Sequence, residues 1–320
     1  MQFYLAPMEA VTGFVYRNVY HSMYGDMDKY FAPFITPTQK KILRTRERKD
    51  VAPEHNIGMY MVPQILTNNA EQFIETCEFL DKQGYKEMNL NLGCPAPTVV
   101  SKGRGSGFLG ETVRLERFFE EVYRWNAGLP EEERFEISVK TRLGLEDADE
   151  FEELLEIYND YPLKEVIIHP RVRRDFYNGK PDWDAFEKAM ENCKHSICYN
   201  GDINTKEDYV NLLKRFPKLD KVMIGRGVVA NPGLLREMKT GQCITKEELK
   251  RYHDALYAGY LADLGAETDV LFKMKELWFY LGRNFADSDK LIKKLHKAKK
   301  PEEYKAFLKE IWPMLEMVSL

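Results

Sequence analysis

Asn89-Leu90-Asn91-Leu92-Gly93-Cys94-Pro95 closes a short alternating segment, Glu87 to Leu92, in a Gly-Cys-Pro corner. Alternation of polar and apolar side chains has the period of a strand, and neither helix nor strand runs on through that corner, so a strand becomes a loop at a cysteine. The loop beyond it has glycine at 103, 105 and 107 and little side-chain bulk from Ser101 to Gly107. It is expected to move, as a lid bearing Cys94 as a proton donor.

The same kind of segment recurs on both sides. Candidate strands lie at Phe3 to Ala6, Tyr30 to Ile35, Tyr60 to Leu66, Glu87 to Leu92, Glu136 to Thr141, Glu165 to His169, Ser196 to Asn200 and Lys221 to Ile224. Between them the apolar residues fall at helical spacing, as in Phe73, Cys77 and Leu80 of a helix over 69–82, or Leu115, Phe118, Phe119 and Val122 over 111–125. Helices over 147–158 and 205–216 follow suit. Strands alternating with helices imply parallel pairing, and this count within 240 residues favours a closed (β/α)8 TIM barrel. An open doubly wound sheet is the alternative that the pattern leaves. From Thr245 the strands stop, and helices over 246–264, 268–281, 288–298 and 301–317 predict a helical C-terminal domain. The expected division is therefore a barrel over 1–240 and helices over 241–320.

With 320 residues, 44% of them hydrophobic, the chain can bury a large core. A formal net charge of -4 argues against a general nucleic-acid binder, so any RNA must be met by a local basic face. One such face is a run with Lys290, Lys293, Lys294, Lys297, Lys299 and Lys300; a merely solvated helix surface is the alternative. No charged leader or membrane-length apolar run occurs, which leads to the expectation of a soluble, cytoplasmic protein. No partner surface is evident, and a monomer is expected. The five cysteines include no CxxC pair, and Cys77, Cys193, Cys198 and Cys243 are read as small buried hydrophobes. No His, Cys and carboxylate cluster suggests a metal.

Barrel chemistry gathers at the C-terminal strand ends. Those ends carry Pro7 and Met8, Gln64, Asn91 and Cys94, Lys140 and Arg142, His169 and Arg171, Asn200 and Asp202, and Gly225 and Arg226. Alternation points Lys140 into the barrel mouth, where an ammonium needs an anion; the N1 and C2 carbonyl edge of a reduced flavin is one. His169 ends its strand in the same way, with a satisfied core histidine as the alternative. Gly201 and Gly225-Arg226-Gly227 follow the last two strands, where barrels often bind phosphate through loop amides, although two tight turns and a surface arginine would read alike. Cys94 has Lys102, Arg104 and Lys140 to make its setting electropositive and lacks a Cys-His hydrolase partner, so it is read as a thiol acid.

Leu5 to Thr12, Pro63-Gln64, Asn89 to Pro95, Val139 to Gly144, Ile168 to Arg171, Tyr199 to Ile203 and Val222 to Gly227, taken in order, resemble the tRNA-dihydrouridine synthases. The resemblance implies a barrel carrying FMN, with a helical domain that grips tRNA. It implies that NADPH reduces the flavin, that hydride passes from flavin N5 to C6 of a uridine, and that Cys94 protonates C5. By position, Pro7, Met8 and Gln64 would contact the isoalloxazine, and Lys140 and His169 its polar edge or ribityl side. Asn200, Gly201, Asp202, Gly225 and Arg226 would hold the phosphate end, and Asn91 would orient the uracil. Arg171, Arg173 and Tyr177 would line the substrate pocket, and Lys293, Lys294 and Lys297 would meet tRNA. Ala10 and Gly13 depart from a common Gly and Asp, and Pro170 from a usual glycine. Two alternatives stand beside this. One is a flavin barrel acting on free pyrimidines, like a dihydroorotate dehydrogenase. The other is an RNA-binding protein that retains flavin for stability.

Overall fold

A computed structural model describes residues 1–286 and 288–318. Nine strands form one sheet: β1 (Gln2–Leu5), β2 (Lys29–Phe31), β3 (Met61–Val62), β4 (Gln64–Ile65), β5 (Glu87–Leu92), β6 (Glu136–Arg142), β7 (Glu165–His169), β8 (Ser196–Tyr199) and β9 (Lys221–Ile224). Their order is β3-β2-β1-β9-β8-β7-β6-β5-β4, with parallel pairing. Its two ends, β3 and β4, are separated by Pro63 alone, so the expected barrel is the fold. Proline has no N–H, which interrupts the ladder. Pairing continues on both sides of it: Ile35 N–H donates to the Gln64 carbonyl (2.7 Å) and Asn89 N–H to the Pro63 carbonyl (3.0 Å).

Between and after the strands run α1 (Phe14–Met23), α2 (Thr45–Val51), α3 (Ala70–Asp81), α4 (Pro97–Val100), α5 (Thr112–Gly128), α6 (Glu150–Asn159), α7 (Trp183–Asn192) and α8 (Lys206–Arg215). Then come α9 (Arg226–Ala230), α10 (Leu234–Thr240), α11 (Lys246–Leu264), α12 (Glu267–Leu281), α13 (Ser288–His296) and α14 (Pro301–Met314). None is long and apolar enough to cross a membrane. Local chemistry sets many of the ends. Asn69 caps α3 by accepting from Gln72 N–H at 2.8 Å, and Thr245 and Glu248 form a reciprocal capping box at the start of α11. The expected apolar faces are the buried ones: Phe73 of α3 and Phe118 of α5 meet edge to face at 5.6 Å, both buried.

Packing groups the chain into two compact units, one of Met1–Pro7, Asp28–Gly201 and Phe216–Met223, the other of Met8–Met27, Asp202–Arg215 and Ile224–Leu320. In the first, the barrel interior is layered, because side chains two apart share a face. An ionic floor holds Lys29 between Glu87 (2.7 Å) and Glu165 (3.0 Å), with Lys164 on Glu87 at 2.7 Å. Above it lies a plug of Tyr4, Phe31, Val62, Ile167, Cys198 and Met223. The top layer is polar, with Gln64, Asn91, Lys140 and His169. In the second unit, α11, α12 and α14 share a buried knot. Trp278 Nε1 donates to the Tyr304 hydroxyl (2.9 Å), which meets His253 Nε2 at 2.8 Å, while His253 Nδ1 meets Asp254 at 2.9 Å. The tyrosine has one proton and receives one, so its own goes to Nε2, and Nδ1 carries the imidazole proton.

After Cys94 the chain forms α4 and a 3-10 turn over Gly105–Gly110, and the Cys94 carbonyl accepts Ser106 N–H (3.1 Å) and Oγ–H (2.9 Å). Gly105, at φ +56°, sits where a Cβ would lie 2.8 Å from that carbonyl oxygen, so glycine here permits close packing. Of the four cysteines read as buried, Cys77 and Cys198 are; Cys193 is half-buried and Cys243, in the turn before α11, is exposed.

Candidate active site

The end of β5 carries the centre of the site. Asn91 Oδ1 accepts Gly93 N–H (3.0 Å) and Cys94 N–H (2.9 Å), so the strand's own side chain folds the Gly-Cys corner back on itself. Those two donors force the carboxamide's orientation, and with it a chain of others. Asn91 Nδ2 donates to Gln64 Oε1 (2.8 Å), Gln64 Nε2 to Asn89 Oδ1 (2.7 Å), and Asn89 Nδ2 to Ser138 Oγ (2.9 Å). Each amide spends one proton in this relay, and each has a second. Asn89 was passed over in the sequence, though it lies two residues before Asn91 and so on the same face.

Lys140 is register partner to Asn91 across β5 and β6. It is half-buried, and among the described residues no hydrogen bond or ion pair meets its ammonium. Burial first, and the Arg142 charge second, push its pKa down to about 8, against upward pulls from Cys198 and Cys94. An ammonium held this way is stabilised by an anion brought against it. Arg142, two residues on and 1% exposed, donates to the carbonyls of Gly93 (2.9 Å), Val172 (3.0 Å) and Phe176 (2.6 Å) and stands over the Tyr177 ring at 5.4 Å. It ties the Cys94 corner to the loop after β7. Sequence reading placed it at a strand end and gave it no role.

His169, at the end of β7, is buried, and its Nε2 lies 3.0 Å from Arg171 Nη1. A guanidinium only donates, so Nε2 accepts and Nδ1 carries the proton. Arg171 also donates to the carbonyls of Asn178 (3.1 Å) and Gly179 (2.6 Å). It is 1% exposed, and these bonds tie it to His169 and to the loop after β7. Tyr177, by contrast, is 54% exposed, with its ring 6.0 Å from that of His169. Arg173 is half-buried and pairs with Glu146 at 3.2 Å.

Asn200 Nδ2 donates to the Met223 carbonyl at 2.8 Å, joining the ends of β8 and β9, and Gly201 follows it over the Tyr199 ring. In the second unit Arg226 pairs with Asp202, so part of its charge is balanced. A Cβ at Gly227 would fall 2.0 Å from the Ile203 carbonyl oxygen, which fixes glycine at the first turn of α9. Pro7 follows β1, and the Met8 carbonyl accepts Val11 and Thr12 N–H at 3.0 Å each. Lys293 and Lys294 are exposed on α13 and Lys297 is exposed just beyond its end, with Lys294 over the Phe307 ring at 4.8 Å.

Hydrogen bonds thus bring Gln64, Asn91 and Cys94 together, with Lys140 within reach of the Cys94 charge. This set can hold a thiol proton beside an electron-rich ring that needs a cation at one edge. The profile of the Dihydrouridine synthase (Dus) family matches residues 4–312. A probable tRNA-dihydrouridine synthase of Staphylococcus aureus strain MRSA252 is 32% identical over 273 residues, 82% of this chain and 79% of its own. The probable tRNA-dihydrouridine synthase 2 of Bacillus subtilis strain 168 is 27% identical over 320 residues, 96% of this chain and 92% of its own. Among solved structures, the old yellow enzyme from Trypanosoma cruzi superposes with TM-score 0.53 at 10% identity, over 81% of this chain and 93% of its own. Morphinone reductase gives 0.51 at 14% identity, over 76% and 87%.

Proposed function

The chain belongs to the dihydrouridine synthase family, and from that premise we propose that it reduces a uridine of tRNA to 5,6-dihydrouridine, using bound FMN that NADPH reduces. The observation that supports this most directly is Lys140, an ammonium in the barrel mouth that meets no hydrogen-bond or ion-pair partner among the described residues and whose pKa is lowered to about 8. The anionic edge of a reduced flavin fits it. Pro7, Met8, Gln64 and His169 would complete the ring and ribityl contacts. Asn200, Gly201, Asp202, Gly225 and Arg226 would take the phosphate end, Arg226 with its charge shared with Asp202.

When bound, the flavin supplies the hydride for C6 of the uracil. Cys94 supplies the proton for C5. Its position is set by the Asn91 side chain beneath and by Arg142 on the carbonyl before it. The second Nδ2 proton of Asn91 is the donor that turns the uracil toward the thiol. Tyr177 is exposed enough to stack on an extruded base, and Arg173 stands beside it in sequence. Arg171 contributes through His169 and the loop. Lys293, Lys294 and Lys297 of the helical region 241–320 contact tRNA phosphates, a need that a free-pyrimidine enzyme lacks. The protein works as a cytoplasmic monomer in this reading. Dihydrouridine mapped by mass spectrometry in tRNA from cells lacking the chain tests it: one uridine position should be left unreduced, and an unchanged map would overturn the proposal.

A further inference from the structure

Positions 40 to 49, Lys-Lys-Ile-Leu-Arg-Thr-Arg-Glu-Arg-Lys, hold six basic residues and one acid in a chain of net charge -4. The fold sorts them. Glu47 is 2% exposed and accepts N–H from Arg44 (2.6 Å) and Thr36 (3.2 Å), and Asp50, the next residue beyond the segment, is 3% exposed, so both carboxylates are turned inward. Lys40, Lys41, Arg44, Arg46 and Arg48 are exposed. Among the described residues, Lys40, Lys41 and Arg44 have no ion-pair partner, and Arg48 stands over the Phe79 ring at 5.2 Å. Glu75 and Glu78 border the hollow that Lys40 and Lys41 line, together with Lys82, and offset part of the field there. The arginines of α2 and its cap lie outside that hollow.

The frame of this loop is fixed. Thr38 N–H donates to the Lys41 carbonyl at 2.9 Å and Lys41 N–H returns the bond at 3.2 Å. At its root, Leu66 N–H donates to the Ile35 carbonyl (2.8 Å), next to the strand that carries Gln64. The loop therefore leaves the C-terminal end of β2, the rim where a barrel meets its ligand.

We infer that the loop over 38–49 is a second tRNA-contacting surface, carried by the barrel itself, which neutralises backbone phosphates beside the active site. The inference rests on the tRNA reading above. Ammonium and guanidinium groups without carboxylate partners release counterions when a phosphate takes their place. The segment 36 to 50 has no aromatic residue of its own, so its contacts are mainly ionic, and the surface positions RNA without reading its sequence.

The test compares K40E/K41E/R44E with K188E/K194E/K218E, an equal charge change at three exposed lysines elsewhere in the barrel unit. Each is titrated with an unmodified tRNA transcript across a salt series, with K40Q/K41Q/R44Q as the gentler variant and far-UV circular dichroism as a check on folding. The expected result is a loss of affinity of about ten-fold or more and a salt slope lower by about 2 to 3 in the first variant, a smaller loss in its Gln counterpart, and little change in the control. Equal effects in the first variant and the control would overturn the inference while leaving tRNA as substrate. Wild-type protein that binds no tRNA, or binds vesicles of phosphatidylserine and phosphatidylcholine through this loop instead, overturns it as well; the first of these removes the tRNA reading too.

Discussion

With the anionic edge of a reduced flavin on Lys140, as proposed, flavin binding takes up a proton, and the size of the effect can be worked out. Burial and the Arg142 charge hold the free ammonium at about 8, below the ordinary 10.5. An anion placed on it restores the charged form and raises that value again. The complex then holds a proton that the free protein loses above pH 8, so affinity falls as pH rises through that window. For a group at 8 in the free protein and well above 9 in the complex, the ratio of free-state titration factors gives about a ten-fold weaker affinity at pH 9 than at pH 7. Calorimetric titration of the apo-protein with chemically reduced FMN under anaerobic conditions, the form that carries the anionic edge, at half-unit pH steps measures this. K140M removes the titrating group, and the ten-fold component should vanish from it. The folding sign runs oppositely. The unfolded chain keeps this proton to about 10.4, so from this group the apo-protein gains stability as pH rises from 8. Wild-type affinity level from pH 7 to 9, or an identical decline in K140M, would refute the assignment of Lys140 to the flavin's anionic edge.

Other consequences can be checked separately. C94A should keep bound flavin and lose on the order of 100-fold or more in kcat on native tRNA, the usual contribution of a positioned proton donor; unimpaired turnover would remove Cys94 from that role. K293E/K294E/K297E should weaken tRNA binding and lower its salt slope by about 2 to 3 without changing flavin affinity, and an unchanged slope would tell against α13 as an RNA contact. On the barrel floor, burial pushes the Glu87 carboxyl up but Lys29 and Lys164 outweigh it and leave its pKa lowered. Its stabilisation is therefore present at neutral pH, above the ordinary value of 4.5, and lost as pH falls through the folded value. E87Q, which leaves Lys29 to Glu165 and Lys164 to Glu136, should cost about 1 to 3 kcal/mol at pH 7 and lose part of the acid limb in thermal melts; an acid limb identical to wild type would count against the network.

The strand ends were legible because a strand has period two. Once Ile137 and Val139 are assigned to one face, Lys140 must take the other, and the same arithmetic places Gln64, Asn91 and His169 in the mouth. Family resemblance then attached chemistry to those positions. The C-terminal helices were legible for an equally local reason, since Thr245, Glu248 and Gly265 mark the ends of α11 within the chain itself.

What sequence could not supply is who bonds to whom across the barrel. Gln64 lies 25 residues from Asn89 and Arg142 lies 49 from Gly93, and nothing in local composition pairs them. The inward turn of Glu47, the bonds from Ser106 to the Cys94 carbonyl and the partners of Arg171 are decisions of the same kind. By resemblance Arg171 lines the substrate pocket; that it also donates to the carbonyls of Asn178 and Gly179 and meets His169 is visible only in the fold. Alternation and capping are properties of a few neighbouring residues, and the chain determines them by itself. Hydrogen-bond partners and the burial that shifts Lys140 depend on segments brought together from far apart, so only the closed barrel decides them.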